Sequence, residues 1–231
     1  MSRMTTTEPL KTSKAEQTRA VIIETALELF RERGYEETTM RAIADRAGVA
    51  LGNAYYYFRS KEHLIQAFYD RTHHEHVAAC ASILEEERDL KPRLLGAMRA
   101  KIATIEPYHR FAGKLFKTAA DPASPLNPFS DESDPVRREA VELFARVLEG
   151  ATGRVPNDLK RELPYMLWLY HMGMILFWIH DSSPHRRRTH RLLEKSVELI
   201  VKMISLASNP LMAPLRKASL RLIVELREDL S

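Results

Sequence analysis

Four basic side chains, Arg41, Arg46, Arg59 and Lys61, fall between positions 39 and 61 against a single acid, Asp45. Guanidinium and ammonium groups at that density suit the neutralisation of phosphates along a nucleic-acid backbone. Asn53, Tyr55 and Tyr56 lie among them and carry groups able to hydrogen-bond a base edge or a phosphate. Other reactive residue types are less well placed. His73 and His76 are one helical turn apart, so a metal could bridge them, but no third ligand accompanies them and an exposed polar face, shared with His74, is the expectation. His171 and His180 are too far apart to share an ion. The run 185–191, HRRRTHR, is read as a solvated loop and helix start, with anion binding as the alternative. Cys80 is the one cysteine, which excludes an intramolecular disulfide framework and a thiolate zinc cluster; it is expected to be buried in mid-helix. No Ser/His/Asp order, glycine-rich phosphate loop or paired-carboxylate motif is present, so no enzyme, cofactor or metal centre is expected.

The elements that must hold these residues are helices. With 45% apolar and 29% charged residues the chain has the composition of a folded protein. Its eight glycines in 231 residues are about half the usual share of ~7%, which disfavours sheets and tight turns. Ile22, Ala26, Leu29 and Phe30 recur at helical spacing between Ala15 and Arg33, and Gly34 offers a left-handed stop. Thr38 and Thr39 offer caps for a short helix from Met40 to Ala47, ended by Gly48. A third short helix from Gly52 or Asn53 to Phe58 follows, and Ser60 caps a long fourth helix from Lys61. Beyond it, Pro92 opens a helix to about Pro107, and another covers 108–119. The proline-rich stretch 121–135 reads as the most mobile loop of the second half. Asp134 and Pro135 look like the cap and first residue of a helix to Glu149, stopped by Gly150 and Gly153. Further helices are expected over 157–181, with Pro164 kinking or restarting it, over 183–208, and over 214–230. No strand alternation or internal repeat is found, so the fold class is all-α. The apolar stretch 165–179 is shorter than the ~20 residues a bilayer requires. With no signal-peptide core in the first fourteen residues, a cytoplasmic protein without membrane contact is expected.

The first three helices match a helix-turn-helix: a supporting helix, a glycine-containing turn and a short helix able to enter a major groove. Small Ala44 lets the two helices approach, Gly48 turns the chain, and Val49 plugs the turn. The start of the reading helix, Ala50, Leu51, Gly52 and Asn53, then faces base edges. The chain as a whole carries +4, from 35 basic and 31 acidic residues, and the segment 39–61 alone holds +3. At least Phe58 of the run 55–58 belongs to the core, and Arg46 is read as part of a solvated face. Glu24, Glu28 and Glu32 of the first helix lie outside the proposed DNA face.

The run TTMRAIADRAGVALGNAYYYFRSKEHLIQAF, residues 38–68, resembles the DNA-binding domain of the TetR/AcrR family of bacterial regulators. Leu-Phe and Gly-Tyr within 29–35 match it too, and the resemblance covers about 15–75. It implies a sequence-specific transcriptional regulator, a homodimer whose reading helices enter successive major grooves of a double-stranded operator, with a small-molecule effector releasing a repressor. It further implies Thr39 and Lys61 at phosphates, the Tyr55 hydroxyl on a phosphate, and Arg41 on a base or phosphate. Ala50 and Leu51 depart from the family pattern, where a Ser or Thr cap and a polar reader are usual. The missing cap costs about 1 kcal/mol, and base readout shifts to Asn53, Tyr56 and Arg41, with Ala50 and Leu51 free to meet a thymine methyl.

The expected organisation is a flexible arm over 1–14, whose Arg3, Lys11 and Lys14 could brush a minor groove, a DNA-binding domain over 15–75, and a helical ligand-binding and dimerisation domain over 76–231. Tyr108, Phe111, Phe116, Trp168, His171 and Met172 are candidate linings for an apolar or aromatic effector. The helix at 165–180, apolar around its circumference, needs cover from the core on one side and from a partner subunit on the other. Phe177, Leu192, Val197, Ile200, Val201 and Ile204 are the candidate dimer contacts. The alternative is a helix-turn-helix protein without a small ligand, controlled by a protein partner or acting architecturally.

Overall fold

A computed structural model describes residues 13–152 and 155–228. They form ten α-helices with no strand; an isolated bridge joins Asp89 and Thr152. The fold is all-α, as the sequence predicts. Among the described residues no helix is long and apolar enough to cross a membrane. Contacts divide the chain into two compact units, one up to Phe68 and one from Tyr69.

The first unit is built from α1 (Lys14–Arg33), α2 (Met40–Ala47), α3 (Leu51–Tyr57) and the start of α4 (Lys61–Glu86). Ser13 and Glu16 close a reciprocal capping box on α1. Gly34 ends the helix with φ 94° and ψ 161°, outside the left-handed helical well expected for it but still where a side chain is disfavoured. Thr39 caps α2 by accepting from the Ala42 amide at 3.2 Å. Gly48 then takes the left-handed conformation, φ 68° and ψ 30°. Ala44 is fully buried between α2 and its neighbours, and Val49 is half-buried. The unit closes on Ile22, Phe30, Ile43, Leu64 and Ile65, with Phe58 in the core beneath the Arg19 guanidinium.

The second unit continues along α4 and adds α5 (Leu90–Ile105), α6 (His109–Ala119), α7 (Asp134–Glu149), α8 (Asn157–His180), α9 (Arg187–Ala207) and α10 (Ala213–Glu228). In this unit α7 packs most extensively on α8, and α5 on α9. Several local expectations change. α8 runs unbroken through buried Pro164 and does not restart there. Asp134 is the first residue of α7, after Ser133, and its carboxylate binds Arg137 and Arg138 at 2.6 Å each. The segment 121–135, expected to be the most mobile, is a chain of turns tied down by buried Leu126 and by Arg137, which donates to the Pro128 and Ser130 carbonyls. Arg3, Lys11, Gly153 and the end of the last expected helix lie outside the described residues.

Arg93 is the structural clamp of this unit. Its buried guanidinium donates to Leu84 and Glu87 carbonyls at the end of α4, and to Arg146 and Val147 carbonyls near the end of α7. Carbonyls of a last helical turn have no intrahelical partner and carry the negative end of the helix dipole. One cation thus fastens two helix ends.

Candidate functional site

The first turn of α3 presents the residues expected to read DNA. No side chain caps it, because Ala50 has no oxygen to offer. Ala50, Gly52 and Asn53 are exposed and Leu51 is half-buried, while Ala54 anchors the helix to the core. Tyr56 is 82% exposed and Tyr55 49%, a large aromatic surface for a residue pair in a packed unit. Thr39 and Arg41 are exposed at the start of α2.

Two basic groups of the segment are engaged within the protein. Arg46 forms a two-pronged, solvent-exposed pair with Glu32, at 2.8 and 3.2 Å. Its charge is answered locally, and Arg41 and Arg59 carry the exposed positive charge. Lys61 donates to the Tyr35 carbonyl at 2.6 Å and the Glu36 carbonyl at 3.3 Å, with its ammonium 4.3 Å from the Tyr35 ring centroid. Tyr35 in turn donates its hydroxyl to Glu62. An ammonium has three donors, so one of the three on Lys61 is left for a further acceptor.

In the second unit the six residues expected to line a pocket are dispersed. Trp168 packs edge-on against Phe129, 5.4 Å between centroids, and tilts against Tyr165. Phe111 is buried core of α6, Tyr108 accepts from Arg71 at 3.3 Å, and Met172 packs against the core. Phe116 is 37% exposed: the buried face of α6 is Phe111, Leu115 and Ala119, and position 116 lies to its side. That corrects its assignment to an interior pocket. A cavity of about 450 Å³ opens elsewhere, between α4 and α7, lined by His73, His74, Val77, Arg138, Glu139, Glu142 and Arg146.

His73 and His76 are buried, which overturns the exposed polar face expected for them; His74 alone is exposed. His76 donates through Nε2 to the Ala97 carbonyl at 2.9 Å and stacks on His171 at 5.8 Å. Neither ring nitrogen of His171 has a hydrogen-bond partner, nor does His73 Nε2, although Glu139 is 3.3 Å from it. One turn beyond Ala97 stands Lys101, 9% exposed. Burial, then the Lys101 charge, push His73 down to about 4 and His76 to about 3, and hold His171 well below its ordinary value. Burial lowers Lys101 itself to about 8. Among the described residues no group of three or more His, Cys, Asp and Glu is arranged to hold a metal ion. The sequence carried one sign of this cluster: Leu94, Ala97, Met98, Lys101, Ile102 and Ile105 keep helical core spacing, with a lysine in an apolar row.

The candidate dimer residues also separate. Val197 and Ile204 are buried in the protomer's own core and present no free surface, a correction to the face drawn from periodicity alone. Phe177 and Leu192 are exposed, and Ile200 and Val201 half-buried. Beside them lie exposed side chains that periodicity did not single out: Met166, Leu169 and Leu176 on α8, and Leu199, Met203 and Leu206 on α9.

Known proteins resemble both units. The family model described as "Bacterial regulatory proteins, tetR family" matches residues 22–68. The model "Tetracyclin repressor-like, C-terminal domain" matches 93–219, more than half of the chain. The chain belongs to the TetR family. Among TetR-family relatives, the transcriptional repressor KstR2 of Mycobacterium tuberculosis is 33% identical over 174 residues, 72% of this chain and 83% of that protein. The probable transcriptional regulator ArpR of Pseudomonas putida is 43% identical over 94 residues. That match spans 42% of ArpR's own length, as does the match to TtgR of the same species. Solved TetR-type structures share the fold. FadR of Bacillus subtilis, in complex with stearoyl-CoA, superposes with a TM-score of 0.62 at 18% identity, over 79% of this chain and 97% of that one. The TetR regulator of Nitrosomonas europaea gives the same four values.

Proposed function

We propose that this TetR-family chain is a sequence-specific DNA-binding transcription repressor of the cytoplasm, active as a homodimer and released from its operator by a small-molecule effector. The observation that carries the reading is the outer face of α3: Gly52, Asn53, Tyr55 and Tyr56 stand exposed on a helix whose inner face is locked by Ala54. Repressor function in KstR2 and the bound acyl-CoA of the FadR structure support it. In this reading residues 15–75 form the DNA-binding domain and 76–231 the effector and dimer domain.

Thr39, Arg41, Tyr55 and the remaining donor of Lys61 take phosphates and set the register, while Asn53 and Tyr56 read base edges, with Ala50 and Leu51 against a thymine methyl. Phe177, Leu192, Ile200 and Val201, extended by Leu199 and Met203, meet their counterparts across a twofold axis. Effector binding changes the spacing of the two reading heads. Half-site spacing on a duplex is rigid, so a small change removes one head's contacts.

The test is fluorescence anisotropy of the full-length protein on duplexes tiled across the DNA flanking its gene. One segment should bind far more tightly than random duplex, with affinity falling steeply as salt rises. Asn53→Ala should weaken operator binding by about 1–3 kcal/mol and leave random duplex nearly unaffected. Equal loss on both, or a flat salt response, would remove base readout by Asn53 or the DNA face itself.

A further inference from the structure

A basic surface lies in the second unit, away from the helices expected to read DNA. Residues 107–120 and 182–193 hold seven lysines and arginines and no acid, in a chain whose net charge is +4. Six of the seven are exposed: Arg110, Lys114 and Lys117 on α6, and Arg187, Arg188 and Arg191 at the start of α9. None of these six side chains pairs with an acid among the described residues. The seventh, Arg186, turns inward to Glu106 at 3.3 Å and to the Asp181 carbonyl at 2.8 Å. The two segments meet there. Glu106, just before α6, also accepts from Trp178 Nε1 at 2.7 Å, and the His109 ring at the start of α6 bonds the Trp178 carbonyl at 2.8 Å. On α6 the three cations keep i, i+4, i+7 spacing, beside the buried row of Phe111, Leu115 and Ala119. On α9 the pairs 187/191 and 188/191 are likewise neighbours on one face. Like charges at these spacings destabilise a helix, and an anionic surface laid over them would remove that cost.

We propose that this surface holds the phosphate backbone of duplex DNA flanking the operator, outside the base pairs that α3 reads. The inference rests on the operator-binding reading above and adds a second contact to it. Guanidinium groups match phosphate oxygens in a two-pronged geometry, and ammonium groups serve as point charges. The chain enters the second unit at this end: Arg71, two residues after Tyr69, donates to the Tyr108 hydroxyl at 3.3 Å, directly before α6. The surface is thus continuous along the chain with the unit that carries α3. It outweighs the charge of that unit's own candidate face, where Arg46 is answered by Glu32. Contacts of this kind neutralise phosphates and carry no sequence information, so they add affinity alike on any flanking sequence.

Two duplexes separate this contact from the reading heads. One is cut at the outermost base pairs whose substitution weakens binding, and the other is extended beyond them by about one and a half helical turns on each side. The full-length protein is titrated on both by fluorescence anisotropy across a salt series. The extended duplex should bind about tenfold or more tightly, and its log affinity should fall more steeply with log salt, by about 0.9 for each added phosphate contact. The triple substitution Arg187→Gln, Arg188→Gln and Arg191→Gln, and separately Lys114→Gln with Lys117→Gln, should lower this extra affinity and slope and leave the cut duplex unaffected. All five side chains are exposed, so both variants should melt as the parent does; should one fail to fold, the other and the parent's own length dependence decide. Equal affinity of the parent for both duplexes, equal losses on both, or no loss in either variant would overturn the proposal. So would binding of the parent to phosphatidylglycerol vesicles that both variants lose while their DNA affinity is unchanged, which would assign the surface to a membrane. If no duplex is preferred over random sequence, the operator reading fails by itself. A random duplex of the extended length then decides the surface: weaker binding by both variants than by the parent upholds the backbone contact, and equal binding removes it.

Discussion

At the scale of single residues, the buried imidazoles tie stability to pH. His73, His76 and His171 sit where a charge is penalised by burial and by Lys101, and folded His73 and His76 protonate only near 4 and 3. Unfolded, each takes a proton near pH 6.5. Between those limits the unfolded chain binds more protons, so stability falls as the pH drops below about 6.5 and is not reduced by these groups above it. Urea denaturation followed by circular dichroism should show a falling midpoint from about pH 7 to pH 5. Glu139 opposes the trend at His73 alone, so a double substitution of His76 and His171 should flatten most of it. A midpoint unchanged across that range would mean these rings are solvated in the folded protein. Lys101 acts in the same sense at higher pH: with its folded value near 8, stability should rise between about 8 and its ordinary value near 10.4.

At the scale of elements, the second unit depends on buried polar groups that satisfy helix ends. Asp181, between α8 and α9, resists the desolvation of its carboxylate by accepting from the Ser183 amide and from the Thr189 amide and hydroxyl, which hold it ionised far below the usual carboxylate range. That anchor starts α9 after His185 and Arg186, both at positive φ. Arg93 does the converse job, binding four carbonyls at the ends of α4 and α7. Gly150 makes room for it, since a Cβ there would stand 2.2 Å from Arg93 Nη2. Gly150→Ala should therefore destabilise by about 1–3 kcal/mol, although its φ of −80° suits alanine. Gly113→Ala, whose Cβ meets only Ile179 at 3.6 Å, should be neutral or stabilising through helix propensity. Thermal denaturation of the two variants checks this, and equal melting temperatures would mean that Arg93 moves aside at no cost.

At the scale of the whole molecule, the proposed twofold contact draws on exposed apolar side chains of α8 and α9. Phe177, Leu192, Leu199, Met203 and Leu206 are each more than a third exposed in the protomer. Large apolar side chains left exposed in such number are the surface a second copy would cover. Leu199→Glu should raise the dimer dissociation constant by tenfold or more, about 1.4 kcal/mol, and weaken operator binding with it, while the melting of the first unit is untouched. Sedimentation velocity against protein concentration reads the first effect. Val197→Ala, in the core, should instead lower protomer stability by about 1–3 kcal/mol. A Leu199→Glu protein that sediments as the parent would place the twofold contact elsewhere.

Much of this molecule was legible in the chain alone, where the physics is local. A capping threonine before Met40, a glycine after Ala47, and apolar residues at helical spacing are decided within a few residues, so the helices and the exposed start of α3 follow from the order of the amino acids. The histidines were misjudged because burial depends on what another helix brings: only the packed unit sets Ala97 beside His76, or Lys101 near His171. Arg46 is solvent-exposed, as its place in the sequence suggests, but its pairing with Glu32, fourteen residues away, arises only through the crossing of α1 and α2. Periodicity likewise marked Val197 and Ile204 as apolar but could not say which side of α9 the protomer's core would claim. Local propensities and caps act through neighbours in sequence and determined the helical fold; burial, charge pairing and free surface arise from residues distant in sequence, and only the tertiary structure decided them.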